Sequence, residues 1–192
     1  MESSSTASSR RRIHRRTIDI EGYLRDDGLL ELEATLTDVK TLDYPLASGL
    51  RKAGEPIHQM HVRITVDDEF TIVDAQAESP WVPYPGTCEA IAPAYRRLIG
   101  LNLLRGFRRD VGALFAGIKG CTHLTELLYA LPTAAIQTWA TFKKREDEGD
   151  RKPFQLDGCH ALDTTSSPAV AAYYPRWYRP RRQAQPCCEE NG

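Results

Sequence analysis

The chain has 192 residues, 41% of them hydrophobic, and a formal net charge of -1. That length suits one domain with a real core, and the near-zero charge gives no general attraction to nucleic acid or anionic membranes. No apolar run reaches the roughly 18–20 residues of a membrane-spanning helix, so no membrane partner is expected.

Residues 1–13 are Ser-rich, then Arg-rich, and are predicted to be disordered. The run Arg10-Arg11-Arg12 is not followed by an apolar segment, so it does not read as a secretion signal. With five cysteines, an odd number, this predicts a cytoplasmic protein with reduced thiols. Order is expected from His14. Thr17 to Tyr23 alternates as a strand, Ile18 and Ile20 on one side and Asp19 and Glu21 on the other. Arg25-Asp26-Asp27-Gly28 reads as a tight turn, since Asp-Gly readily takes positive φ. The strand after it alternates Leu30, Leu32, Ala34 and Leu36 against Glu31, Glu33, Thr35 and Thr37. Asp38 to Glu55, with Pro45, Gly49 and Gly54, is predicted to be a loop. Ile57 to Val66 forms the third strand, with Met60, Val62, Ile64 and Val66 inward and His61, Arg63 and Thr65 outward. Asp67-Asp68-Glu69 turns the chain into a fourth strand, Phe70 to Ala77.

Pro80, Pro83, Pro85 and Gly86 are expected to end the strands. Helices follow over roughly 89–100, 108–118 and 122–142, with Thr122 as an N-cap and Pro132 kinking the last one or starting a new one. Glu146 to Asp150 reads as a solvated charge run, and Phe154 to Tyr174 as an edge strand or a packed loop. The expected fold is α+β: an antiparallel meander of about four strands, then about three helices on one sheet face. A single domain is expected over 14–175, with a flexible basic tail over 176–192.

Four groups of residues could carry chemistry. Gly120-Cys121-Thr122-His123 places a thiol and an imidazole at a predicted helix start, where thiolates are stabilised; the competing reading is a small buried Cys and a surface His. Asp157-Gly158-Cys159-His160 brings a second Cys and His. Together with Cys121 and His123 these would be the ligand set of a zinc site, although neither pair has the usual spacing of about two to four residues. The polar sheet face carries Asp19, Glu21, Glu31, Glu33, His61 and Arg63, either as a solvated face or as a lining that binds substrate. His58 shares the face of Met60 and Val62, so it points inward at the mouth of the core. It reads as a satisfied core residue, or as a general base oriented by Asp26 or Asp38. The basic aromatic tail Tyr173 to Arg182 contains no nucleic-acid motif, so nucleic acid is not expected as a partner.

Gly22-Tyr23, Arg25-Asp26-Asp27-Gly28, Glu33-Ala34 and Leu36-Thr37-Asp38 resemble the opening of an uncharacterised bacterial family, domain of unknown function 2889. Gly54 to Met60, Val66-Asp67-Asp68, Gly120 to Leu124 and Cys159-His160-Ala161 fit the same pattern. The resemblance implies a small soluble bacterial protein associated with catabolism of aromatic or acyl compounds, and it carries over no catalytic residue.

Three functions stand at this point. The first is an acid–base lyase, isomerase or hydrolase without a cofactor, acting on a small-molecule substrate. Its catalytic residues would be His58, His123, Cys121 and Asp26 or Asp38, with Arg63 and His61 binding substrate. The second is a zinc protein built on Cys121, His123, Cys159 and His160. The third is a ligand-binding module without chemistry. All three are compatible with a homo-oligomer.

Overall fold

The computed structural model describes residues 9–140, 152–153 and 155–181. The chain divides into two compact units, Met1–Phe142 and Lys143–Gly192.

The first unit is an α+β fold. Strands β1 (His14–Leu24), β2 (Leu30–Lys40), β5 (Pro56–Val66) and β6 (Ile72–Trp81) form one antiparallel sheet in the order β1-β2-β5-β6. Between β2 and β5 the chain makes a separate small hairpin of β3 (Tyr44–Leu46) and β4 (Gly49–Arg51). Alternation decides which face is covered. Leu30, Leu32, Ala34 and Leu36 of β2 are buried together with Met60, Val62, Ile64 and Val66 of β5. The residues between them face the other way, as period-2 strands require. Gly28 closes the first hairpin at φ 83, a conformation that costs a residue without Cβ little.

The helices lie on the buried face. A 3-10 helix, Glu89–Leu98, packs along β6. Next come α1 (Phe107–Phe115), α2 (Thr122–Leu128) and α3 (Leu131–Ala140). Helix α2 crosses β2 and β5, and α3 crosses β1 and β2. Helix α2 inserts Leu124, Leu127 and Leu128, all fully buried, at i, i+3 and i+4. Gly22 permits the close approach of α3 to β1, because a Cβ there would collide with the Thr138 side chain.

Several expectations need correction. Strand β2 runs on through Asp38 to Lys40, so Asp38 belongs to the sheet and not to a loop. Strand β6 begins at Ile72 and passes through Pro80. Proline is tolerated there because β6 is an edge strand with one side free of the ladder. Phe70 lies outside the strand, in a turn at φ 64, with its ring edge-on to Trp139. The helical run from Thr122 is two helices, with Pro132 at the second residue of α3, where a missing N–H costs nothing. Cys121, not Thr122, occupies the N-cap position of α2.

In the second unit the described residues contain no strand. The region predicted as an edge strand or packed loop holds turns, a 3-10 helix at His160–Leu162 and α4 (Pro168–Tyr173). Ser167 caps α4 by accepting hydrogen bonds from the Ala169 and Val170 amides. The charge run Glu146 to Asp150 and tail residues 182–192 lie outside the described residues. No helix among the described residues is long and apolar enough to cross a membrane.

Candidate functional site

The even-numbered face of β2 continues beyond Leu36 to Asp38, which points into the core side of the sheet and is 2% exposed. A buried carboxylate needs compensation, and three neighbouring elements provide it. On β1, Arg16 stands directly opposite Asp38 and grips both of its oxygens, Nε donating to Oδ1 and Nη2 to Oδ2, each at 2.8 Å. This two-pronged contact is the strongest geometry such a pair adopts. His14, two residues earlier on the same face of β1, brings Nε2 to 3.1 Å from Oδ1. On β5, His58 is the cross-strand partner of Asp38 and places Nδ1 3.3 Å from Oδ2.

The first turn of α2 adds His123, whose Nε2 lies 3.7 Å from Oδ2. One turn further on, Glu126 accepts from Arg16 Nη1 at 2.7 Å, so the guanidinium is shared between two carboxylates. His58 and His123 stack, with ring centroids 3.8 Å apart and planes inclined by 28°. The Cys121 Sγ is 3.9 Å from His123 Nδ1, on the side of the ring away from Asp38.

Helix α2 is held in place over the sheet by Tyr95. That residue is fully buried on the 3-10 helix, and its ring stacks on Phe115 at 4.3 Å. Its hydroxyl donates to the Cys121 carbonyl at 3.1 Å and accepts from the Cys121 amide at 2.9 Å, fixing the backbone that starts α2. Burial pushes the Tyr95 hydroxyl pKa up, so it remains a donor at neutral pH.

The electrostatics follow from this packing. Burial pushes the Asp38 carboxyl up, but the hydrogen bonds and charge of Arg16, helped by His14 and His58, hold it below its ordinary value. His58 is lowered, first by burial and then by the neighbouring His123, against the opposing pull of Asp38. His123 is also lowered, first by burial and then by Arg16, against Asp38 and Glu126. The site at neutral pH is therefore an ionised carboxylate, a guanidinium and two neutral imidazoles that retain 18% and 23% side-chain exposure.

A pH dependence of stability results. The unfolded imidazoles take up protons near pH 6.5, whereas in the fold His58 and His123 do so only at lower pH. Between those two values the unfolded chain binds more protons, so stability is full above pH 6.5 and falls as the pH drops through the lower, folded values. The contribution of Asp38 is present above its unfolded value near 3.9 and is lost as the pH falls through its depressed folded value. Urea titrations from pH 7.5 to 5 are expected to show falling stability, with a flatter slope in a His58→Ala/His123→Ala double variant. An equal slope in that variant would contradict the assignment.

Of the residues singled out in the sequence, Asp38, His58, Cys121 and His123 meet here. Asp26 does not. It sits exposed in the β1–β2 turn, at the far end of β2 from Asp38. His61 and Arg63 lie on the opposite face of the sheet. They line a concavity of about 380 Å³ with Glu33, Thr35, Gln76 and Glu78, where Thr35 Oγ1 and His61 Nδ1 are 2.9 Å apart and Arg63 donates to Gln76. Cys159 and His160 are exposed residues of the second unit. Sequence reasoning passes over His14, Arg16 and Glu126. The first two are legible, because alternation in β1 carried back from Ile18 and Ile20 puts both on the face of Asp38.

Comparison with known families matches residues 14–137 to a family described as "Protein of unknown function (DUF2889)". No curated protein and no solved structure matches the chain.

Proposed function

Because this chain belongs to the DUF2889 family, whose function is unknown, the site is the guide to its activity, and we propose that it is a small-molecule enzyme that moves protons without an organic cofactor. The observation that carries this reading is the convergence of two neutral, partly exposed imidazoles on one buried, ionised carboxylate. Such an arrangement serves a lyase, isomerase or hydrolase step.

The roles follow from which atoms face Asp38. With Nδ1 of His58 directed at Asp38, that nitrogen carries the ring proton and Nε2 is left with the lone pair. A carboxylate orienting a histidine in this way makes it a general base. His123 presents Nε2 to the same oxygen and leaves Nδ1 facing the Cys121 thiol, so the pair can return a proton or activate the sulfur. Arg16 holds Asp38 ionised, and its second contact, to Glu126, ties α2 to β1. The depressed basicity of both imidazoles keeps them unprotonated, and so able to accept, at neutral pH. As substrate we propose a small aromatic or acyl compound, the class implied by the family resemblance, in the cytoplasm of a bacterium.

The test is a panel of aromatic acids, hydroxy acids and acyl thioesters incubated with purified protein and followed by mass spectrometry. For any compound turned over, His58→Ala is expected to lower kcat/KM by about 10²–10⁴, the usual contribution of a positioned base. Full turnover by both His58→Ala and His123→Ala would end the proposal.

A further inference from the structure

An ionised carboxylate offers about four lone-pair directions, yet five nitrogens crowd around Asp38. Arg16 Nε and Nη2 at 2.8 Å and His14 Nε2 at 3.1 Å have hydrogen-bond lengths. His58 Nδ1 at 3.3 Å makes a long hydrogen bond and His123 Nε2 at 3.7 Å lies beyond hydrogen-bond length, and both approach the same oxygen, Oδ2. These two oxygen–nitrogen separations are close to the spacing of ligands around a metal ion, although the two stacked rings would have to tilt for both nitrogens to face one ion. Ligand bonds of about 2.1 Å in a tetrahedron place neighbouring donor atoms about 3.4 Å apart. Asp38 Oδ2, His58 Nδ1 and His123 Nε2 all lie within 4.8 Å of one another.

We propose that Asp38 Oδ2, His58 Nδ1 and His123 Nε2 form a site for one divalent transition-metal ion such as zinc, with a remaining position open to solvent along the exposed edges of the two rings. Two histidines and one carboxylate are a donor set that zinc and iron(II) accept. Neutral imidazole is the form that ligates, and the stacking of the two rings disfavours protonating both. Two carboxylates, Asp38 and Glu126, stand against the one guanidinium of Arg16, with His14 beside them. Cys121 lies behind His123 at Nδ1, where it can orient the ring as metal-bound histidines require of their second nitrogen, and it is not itself a ligand.

The site goes beyond the acid–base reading and bears on its regulation. A metal on His58 Nδ1 moves the ring proton to Nε2 and removes the lone pair assigned above to proton abstraction. Metal loading and base chemistry at His58 therefore exclude one another, and a rise in free zinc would switch the base off.

Tag-free full-length protein, stripped with chelator and dialysed, is titrated with zinc by calorimetry, and metal content is measured after desalting. Wild type is expected to hold one more zinc per chain than His58→Ala/His123→Ala. Cys121→Ser, whose hydroxyl can still meet His123 Nδ1, is expected to keep the zinc with binding weakened by no more than the roughly 10–100-fold of an outer-shell change, and cobalt is expected to give a spectrum without a thiolate charge-transfer band from this site. The single variant His123→Ala, at a partly exposed ring, guards against loss of folding and is expected to weaken binding about 100-fold or more, since even outer-shell changes cost 10–100-fold. Equal zinc content in wild type and the double variant, or loss of the zinc in Cys121→Ser, overturns the site. Turnover by metal-free protein is read separately: turnover that requires zinc would sink the His58-base reading and leave the metal site standing.

Discussion

Asp38→Asn is expected to destabilise the first unit by about 2–4 kcal/mol, which is the cost of leaving a buried ionic partner half-answered. An amide keeps the shape of the carboxylate and loses its charge. Arg16 would still meet one acceptor oxygen but would face an NH2 group at the other, and His14 would lose its carboxylate neighbour. The figure lies below the most severe buried cases because the Arg16 side chain is one-third exposed, so water and Glu126 recover part of the loss. In a domain of this size that corresponds to a fall in Tm of roughly 5–15 °C. Thermal and urea unfolding at pH 7 measure it. A change within about 0.5 kcal/mol, the range of ordinary surface substitutions, would mean that Arg16 does not hold this carboxylate.

Tyr95→Ala is expected to cost about 3–5 kcal/mol, as for other large aromatic truncations in a core. The side chain is fully buried and stacked on Phe115, so its removal opens a cavity beneath α2. Tyr95→Phe separates packing from polarity. It keeps the ring and removes the hydroxyl, leaving the Cys121 amide and carbonyl without that partner, which is expected to cost about 1–3 kcal/mol. The phenylalanine variant should also loosen the start of α2, which hydrogen exchange at residues 121–125 would show as faster opening. If exchange there is unchanged, the hydroxyl does not set the position of His123.

The two-residue alternation from Leu30 to Leu36 makes the sheet readable, and the same alternation contains the key to the site. Carried one step further it reaches Asp38. Sequence preference ends the strand short of that residue, because aspartate is disfavoured in strands and common in turns. What reverses the preference is Arg16, a partner 22 residues earlier that comes into reach only once β1 and β2 pair. Glu126 is more distant still, at 110 residues from Arg16, and no local pattern announces such a contact. His61 and Arg63 illustrate the converse. Their parity on β5 sets them opposite the face of Met60 and His58, so their separation from the site follows from strand periodicity alone. Phe70 and the passage of β6 through Pro80 escape a local reading because each depends on context: a turn closed by Asp67 in one case and a free sheet edge in the other.

Strand β2 slips its register against β5 by a bulge between Asp38 and Val39, immediately past the pair Asp38–His58. Extra residues inserted among positions 41–55 would be absorbed by the small hairpin beyond that irregularity. A single residue inserted between Leu36 and Asp38 would turn the carboxylate toward the opposite surface, away from Arg16, His58 and His123 together. The Asp38 cluster is thus indexed to the counting of one short stretch of backbone, and length variation is tolerable on one side of the bulge and ruinous on the other.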